Sequence, residues 1–207
     1  MINTALIGFG LAGKVFHASS VDLVKSLSLK KIVSSRRKEI NELYPSIEVV
    51  ESIDDVVGSD IDLVIIATPN HMHYEQCKKA LIAGKHVVVD KPFTVNLDEA
   101  LDLKNLAEKN SLILSVFHNR RFDGDFLTIK ELLKSGKLGN ISSFESNFNR
   151  FRPKVNLEKW RETTESAGGI FYDLAPHLID QVVNLFGPPV KILCDIEQIR
   201  EGAKNDD

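Results

Sequence analysis

The chain of 207 residues is 43% hydrophobic and 27% charged, a balance that supports a buried core and is too apolar for a disordered polypeptide. Its 26 basic and 29 acidic side chains leave a formal net charge of −3, with no basic footprint for nucleic acid and no polybasic patch for a membrane surface. No apolar run approaches the roughly 18 residues of a spanning helix. The first strand enters at Thr4-Ala5-Leu6-Ile7, leaving no room for a secretory signal. Cys77 and Cys194 have neither metal-pair nor disulfide spacing and read as small buried hydrophobes. A soluble cytoplasmic protein is expected.

Apolar runs alternate with helical patterns along the first 116 residues. Leu6-Ile7 opens the series, followed by a helix over 12–25, a strand over 29–34, a short helix over 35–43 and a strand over 47–50. Ser52 with Asp54 and Asp55 reads as a capped helical turn. Leu63-Val64-Ile65-Ile66-Ala67 is apolar throughout, as suits a strand covered on both faces of a parallel sheet. A helix over 74–83 stops at Gly84, and strand 86–89, helix 96–108 and strand 112–116 complete the alternation. Repeated strand–helix units with short connections predict right-handed crossovers and a doubly wound parallel sheet, an α/β fold.

After Val116 the rhythm changes. Residues 122–133 form an amphipathic helix pattern with Phe126, Ile129 and Leu133 on one side, ended by Ser135-Gly136. Residues 141–151 alternate apolar and polar side chains (Phe144, Ser146, Phe148, Arg150), which predicts a strand with one wet face. A polar loop carrying Trp160 leads to a long helix over 169–185, and a strand over 191–199 precedes the tail 201–207. Two strands and two helices make a thin second domain whose sheet lacks partners.

Gly8-x-Gly10-x-x-Gly13 directly follows the first strand and opens the first helix. Gly8 permits the tight turn, Gly10 lets the backbone approach a pyrophosphate, and Gly13 allows close helix packing. The helix N-terminus then offers free N–H groups and a partial positive charge to the phosphates. The end of the second strand selects between NAD and NADP, because a carboxylate there would bind the ribose 2′-hydroxyl. The chain reads Val33-Ser34-Ser35-Arg36-Arg37 at this place. Ser34 or Ser35 can donate to a 2′-phosphate, and Arg36 supplies charge and a plane for adenine, so NADP is preferred and NAD remains open. The bland alternative makes Arg36 and Arg37 ordinary solvated charges at a helix start.

Two strands end in unusual residues, Ala67-Thr68-Pro69-Asn70 and Asp90-Lys91-Pro92. Pro92 biases Lys91 toward an extended backbone at the ligand-binding edge, where the amine can donate a proton or polarise a substrate oxygen. Alone, Lys91 also reads as a surface lysine beside a turn proline. The helix containing Asp173, His177 and Asp180 places the first two four residues apart on one face. Asp180, three further on, is positioned to orient the imidazole from behind. A metal would need a third ligand, so the pair reads as an acid/base group for a polyol hydroxyl, or else His177 is a core histidine satisfied by Asp180.

The set resembles the Gfo/Idh/MocA oxidoreductase family. The matching pieces are Gly8-Phe9-Gly10-Leu11-Ala12-Gly13, Ala67-Thr68-Pro69-Asn70, Gly84-Lys85-His86-Val87, Asp90-Lys91-Pro92 and Gly168-Gly169-x-x-x-Asp173-x-x-x-His177-x-x-Asp180. Phe16-His17-Ala18, Val33-Ser34-Ser35-Arg36, Phe117-His118-Asn119-Arg120-Arg121 and the stretch from Tyr172 to Asp180 look most like its NADP-dependent scyllo-inositol dehydrogenase branch. The resemblance implies an NAD(P)-binding Rossmann domain over 1–118 and a partial C-terminal substrate and oligomerisation α/β domain with an open sheet over 119–207, the chain being shorter than the family's usual length. It implies hydride transfer between the nicotinamide and a hydroxyl-bearing carbon of a sugar or inositol. Lys91 and His177 would handle the substrate proton and Asp173 would orient the substrate. The implied cofactor-binding set is Gly8, Phe9, Gly10, Leu11, Ala12, Gly13, Ser34, Ser35, Arg36, Thr68, Pro69, Asn70, His73, Asp90 and Lys91. The family's motif usually carries Glu where this chain has Asp90. A homo-oligomer is expected if the second sheet is completed. The alternatives are a cofactor-binding sensor or an inactive short member, but the retention of Lys91, Asp173 and His177 favours the enzyme.

Overall fold

A computed structural model describes residues 1–156, 158, 162 and 167–207. The chain divides into two compact units, Met1–Phe117 and His118–Asp207.

The first unit is built on strands β1 (Ile2–Ile7), β2 (Leu27–Val33), β3 (Glu48–Val50), β4 (Leu63–Ile66), β5 (His86–Asp90) and β6 (Leu114–Phe117). All pair in parallel in the order β3-β2-β1-β4-β5-β6, which reverses direction beside β1 as in a dinucleotide-binding sheet. Apolar side chains alternate between the faces and feed two separate cores. Ala5, Ile7, Val64, Ile66, Val87 and Val89 pack with Cys77, Leu81 and Leu103 on one side, and Leu6, Ile32, Val49 and Ile65 pack with Phe9, Ala18 and Ile40 on the other. Val64, Ile65 and Ile66 of β4 are thus buried from both faces, each contributing about 2 kcal/mol of apolar transfer.

The helices of this unit are α1 (Ser19–Leu23), α2 (Arg37–Leu43), α3 (Asp54–Val57), α4 (His73–Ile82) and α5 (Leu97–Lys109). The first predicted helix is not uniform: Gly13–Ala18 is a π-helical segment, flanked by α-helical Leu11-Ala12 before it and Ser19–Leu23 after it. Helix α5 is closed reciprocally at its start. Asn96 Oδ1 accepts from the Glu99 N–H at 3.0 Å, and the Glu99 carboxylate accepts from the Val95 N–H at 3.1 Å. Cys77 is buried as expected, whereas Cys194 is exposed.

The second unit contains a 3₁₀ turn over Asn119–Phe122 and helices α6 (Gly124–Lys134) and α7 (Gly169–Phe186). Gly168 before α7 has no capping side chain. The Asp206 carboxylate does that work, accepting from the Phe171 N–H at 2.5 Å. Residues 141–151 and 191–199, expected as strands, have no ladder among the described residues. Alternating polarity specifies a wet and a dry face, but a strand also needs a neighbour for its N–H and C=O groups, and none of the described residues of this unit provides one. The predicted loop around Trp160 lies outside the described residues. Among the described residues, no helix is long and apolar enough to cross a membrane.

Candidate functional site

The sheet register gathers most of the singled-out residues of the first unit. Ile7 at the end of β1 pairs with Val33 and Ile66, Ile66 pairs with Val89, and Asp90 pairs with Phe117. Because every strand is parallel, the segments 8–13, 34–36, 67–70 and 90–92 emerge at one carboxyl edge, where open α/β sheets receive ligands.

The glycine loop is fixed by contact distances. Gly8 has φ +96°, and a Cβ there would lie 2.6 Å from the Ala67 carbonyl oxygen. Its N–H donates to the Val33 carbonyl at 3.0 Å, tying the loop to β2. A Cβ on Gly13 would lie 2.1 Å from the Gly8 carbonyl oxygen, so the helix start can close on the turn only as glycine. Gly10 is different: a Cβ would meet nothing within 4 Å. Its backbone faces open space, which fits the approach of a pyrophosphate. Leu11 is exposed and Ala12 caps the helical stretch, whereas Phe9, expected among the cofactor-binding residues, commits its side chain to the core. Its ring meets Tyr44 edge-on with centroids 6.2 Å apart.

At the end of β2, half-buried Ser34 accepts from the Arg36 N–H at 3.1 Å, and Ser35 and Arg36 are exposed. Two residues that sequence reasoning missed complete this corner. The Lys14 amine donates to Glu39 at 2.8 Å, and the Arg36 guanidinium stands 3.6 Å from the other oxygen of the same carboxylate. The Lys14 hydrogen bond, with help from Arg36, holds the Glu39 carboxyl below its usual range. Two cations therefore converge beside the end of β2, a donor set that fits a 2′-phosphate. The only sequence signal for Lys14 is its place directly after Gly13.

Beyond β4, the Thr68 hydroxyl donates to Gln76 at 2.7 Å, and buried Asn70 opens the 3₁₀ turn Asn70–Met72 after half-buried Pro69. His73, expected to bind cofactor, is fully buried instead. Its Nδ1 lies 2.9 Å from the Pro92 carbonyl and its Nε2 lies 2.9 Å from the Thr68 carbonyl, so the ring joins the loops that follow β4 and β5. Lys91 is half-buried, precedes a cis bond to Pro92, and donates its backbone N–H to Asp90 Oδ1 at 3.3 Å. The second Asp90 oxygen faces buried His17, whose Nε2 is 3.8 Å away and whose ring lies 4.5 Å from that of Phe117.

In the second unit, α7 carries Asp173, His177 and Asp180 along one face, and His177 is buried. A neighbouring stripe, Ile170, Leu174 and Leu178, lines a groove of mixed polarity with Phe148 and Ile196 on its apolar side and Asp195, Glu197, Asp206 and Asp207 on its acidic side. Pro176 removes one rung of the helix ladder in the turn between Asp173 and His177. The Asp173 carboxylate stands 3.7 Å from the Arg150 guanidinium, a partner the sequence did not reveal. Asp180, expected behind His177, accepts a bidentate pair of hydrogen bonds from Arg121 at 2.7 and 2.5 Å, with His118 Nε2 at 3.8 Å. This pairing raises the already high pKa of the guanidinium. A bidentate Arg–carboxylate fork is among the stronger side-chain hydrogen-bonded pairs. Among the described residues, no group of three or more His, Cys, Asp or Glu is placed to hold a metal.

Comparisons with known proteins agree with this architecture. Residues 2–118 match the model of an oxidoreductase family with an NAD-binding Rossmann fold, and residues 126–207 match the GFO/IDH/MocA C-terminal domain. The chain is 48% identical over 207 residues to the oxidoreductase YdgJ of Escherichia coli (strain K12), covering all of this chain and 60% of that protein. It is 40% identical over 207 residues to scyllo-inositol 2-dehydrogenase (NADP(+)) IolW of Bacillus subtilis (strain 168), covering all of this chain and 58% of that protein. Among solved structures, the oxidoreductase yvaA from Bacillus subtilis superposes with a TM-score of 0.96 at 40% identity, over all of this chain and 59% of that one. The chain thus spans about three-fifths of the length of these relatives. With both of its parts matched, the chain belongs to the Gfo/Idh/MocA family of oxidoreductases.

Proposed function

We propose that the protein transfers a hydride between NADP and a hydroxyl-bearing carbon of a sugar or inositol. The observation that carries this reading is the convergence of the glycine loop, the Lys14–Arg36 corner and Lys91 at one edge of a parallel sheet. The name of the Bacillus subtilis relative, a scyllo-inositol 2-dehydrogenase using NADP(+), supports both the nucleotide and the substrate class.

Gly8, Gly10 and Gly13 shape the turn that admits the pyrophosphate, and Ser34, Ser35, Arg36 and Lys14 hold the 2′-phosphate. Pro69, Asn70 and Thr68 flank the nicotinamide ribose. Bound NADP would supply the chemistry of hydride acceptance and return. Oxidation of a secondary alcohol also releases the hydroxyl proton, and His177 takes it as general base. Lys91 donates a hydrogen bond to a substrate oxygen, stabilising charge as the C=O bond forms. Asp173 accepts from a neighbouring substrate hydroxyl and sets the orientation.

Calorimetric titration of the 207-residue chain with NADPH and with NADH, followed by NADPH formation on a panel of inositols and sugars, tests the proposal. Tighter binding of NADPH, with turnover lost in Lys91→Ala and His177→Ala while the nucleotide still binds, is expected. Equal affinity for both nucleotides overturns the NADP assignment. Full turnover in either variant overturns the roles of Lys91 and His177.

A further inference from the structure

We propose that two buried histidines, His73 and His17, position Lys91 from its two sides. The inference rests on the reading of Lys91 as the residue that handles the substrate oxygen, and it concerns groups that do not touch that oxygen themselves. A lysine side chain has four rotatable carbons, so its amine is placed reproducibly only if its backbone is held. Lys91 sits just past the end of β5, beyond the ladder, where the sheet no longer holds it.

His73 holds the residue after it. The imidazole is fully buried, with Nδ1 at 2.9 Å from the Pro92 carbonyl and Nε2 at 2.9 Å from the Thr68 carbonyl. It couples the strand end that presents Lys91 to the neighbouring strand end that presents Thr68, Pro69 and Asn70. A neutral imidazole carries one N–H, and an aromatic hydrocarbon of the same size fills the space but leaves the carbonyl that accepts it without this donor. His17 holds the residue before it. Asp90 caps the Lys91 N–H with one oxygen at 3.3 Å, and its other oxygen lies 3.8 Å from the buried Nε2 of His17. That distance is beyond a hydrogen bond, so this brace acts by packing, with the ring backed by Phe117 at 4.5 Å. His73 is accordingly the stronger positioning residue.

Competitive acetylation of the full chain with acetic anhydride, read lysine by lysine by mass spectrometry without nucleotide or substrate, tests the inference independently of turnover. His73→Phe is expected to change the labelling rate of Lys91 at least threefold while Lys78 and Lys104 keep theirs. His73→Gln, whose amide can still donate, should restore most of the original rate. An unchanged Lys91 rate in folded His73→Phe overturns the proposal, and so does an equal change at all three lysines, which signals general loosening. If His73→Phe does not fold, His17→Gln decides by the same readout, with a smaller selective change at Lys91 expected and no change overturning the bracket. Should Lys91→Ala retain turnover while the labelling result holds, the catalytic reading of Lys91 fails and the bracket stands.

Discussion

Asp180 accepts two hydrogen bonds from Arg121, from Nε at 2.7 Å and from the adjacent NH2 group at 2.5 Å, joining the middle of α7 to the turn that opens the second unit. The carboxylate is only 12% exposed, so the guanidinium is its main source of compensation for lost water. Arg121→Ala should therefore cost about 2 kcal/mol, and Arg121→Lys, which keeps charge without the planar fork, about half of that. Urea unfolding followed by a probe in α7 measures both. A cost within 0.5 kcal/mol of zero, the range of ordinary surface changes, would show that the pair does not hold α7 in place.

The glycine loop separates stability from binding. Alanine at Gly13 drives its Cβ to 2.1 Å from the Gly8 carbonyl, so the backbone must shift, and a lower melting temperature together with lost nucleotide affinity is expected. Alanine at Gly10 meets nothing within 4 Å, so the melting temperature should stay unchanged while nucleotide affinity falls at least tenfold. Thermal melting and calorimetry of the two variants check the contrast. Unaltered affinity in Gly10→Ala would remove the pyrophosphate from this loop.

If NADP binds as proposed, Glu39 competes with its 2′-phosphate for Lys14 and Arg36. Glu39→Gln releases both cations and should tighten NADPH about two- to fivefold, the scale of an exposed ion pair, with little change for NADH. Lys14→Met should weaken NADPH selectively. The pH dependence has a definite sign. Because Lys14 holds the folded-state pKa of Glu39 below its usual 4.5, the pair contributes stability above that value and loses it as pH falls through the lowered one. Nucleotide titrations at pH 7 and acid unfolding of both variants test the two parts. Equal changes in NADPH and NADH affinity would place the 2′-phosphate elsewhere.

The two cysteines should behave oppositely. Burial pushes the Cys77 thiol up to about 12, leaving almost no thiolate at pH 8, while Cys194 is exposed. One thiol should react rapidly with a disulfide reagent in the folded chain and two after denaturation. A fast second thiol in the folded state would mean that the core around α4 opens readily.

Much of the first unit was legible in the chain because its signals are local. The unbroken apolar run of β4, the Gly84 stop after α4, and the Gly8, Gly10 and Gly13 spacing each act within a few residues, and the alternating strands and helices leave few topologies. The sequence determined the doubly wound sheet, the edge at which its loops emerge, and the face shared by Asp173 and His177. Tertiary structure decided which polar groups meet. Arg121 and Asp180 are 59 residues apart, Lys14 and Glu39 are 25 apart, and His73 reaches Pro92 across 19. No periodicity encodes such pairs, because each depends on which surfaces come together after the strands have chosen their neighbours. Phe9 went to the core and His73 beneath the loops for the same reason, since burial is a property of the packed layers. The alternation at 141–151 marks two faces, but whether it becomes a strand is settled by a partner's N–H and C=O groups, which lie outside the segment itself.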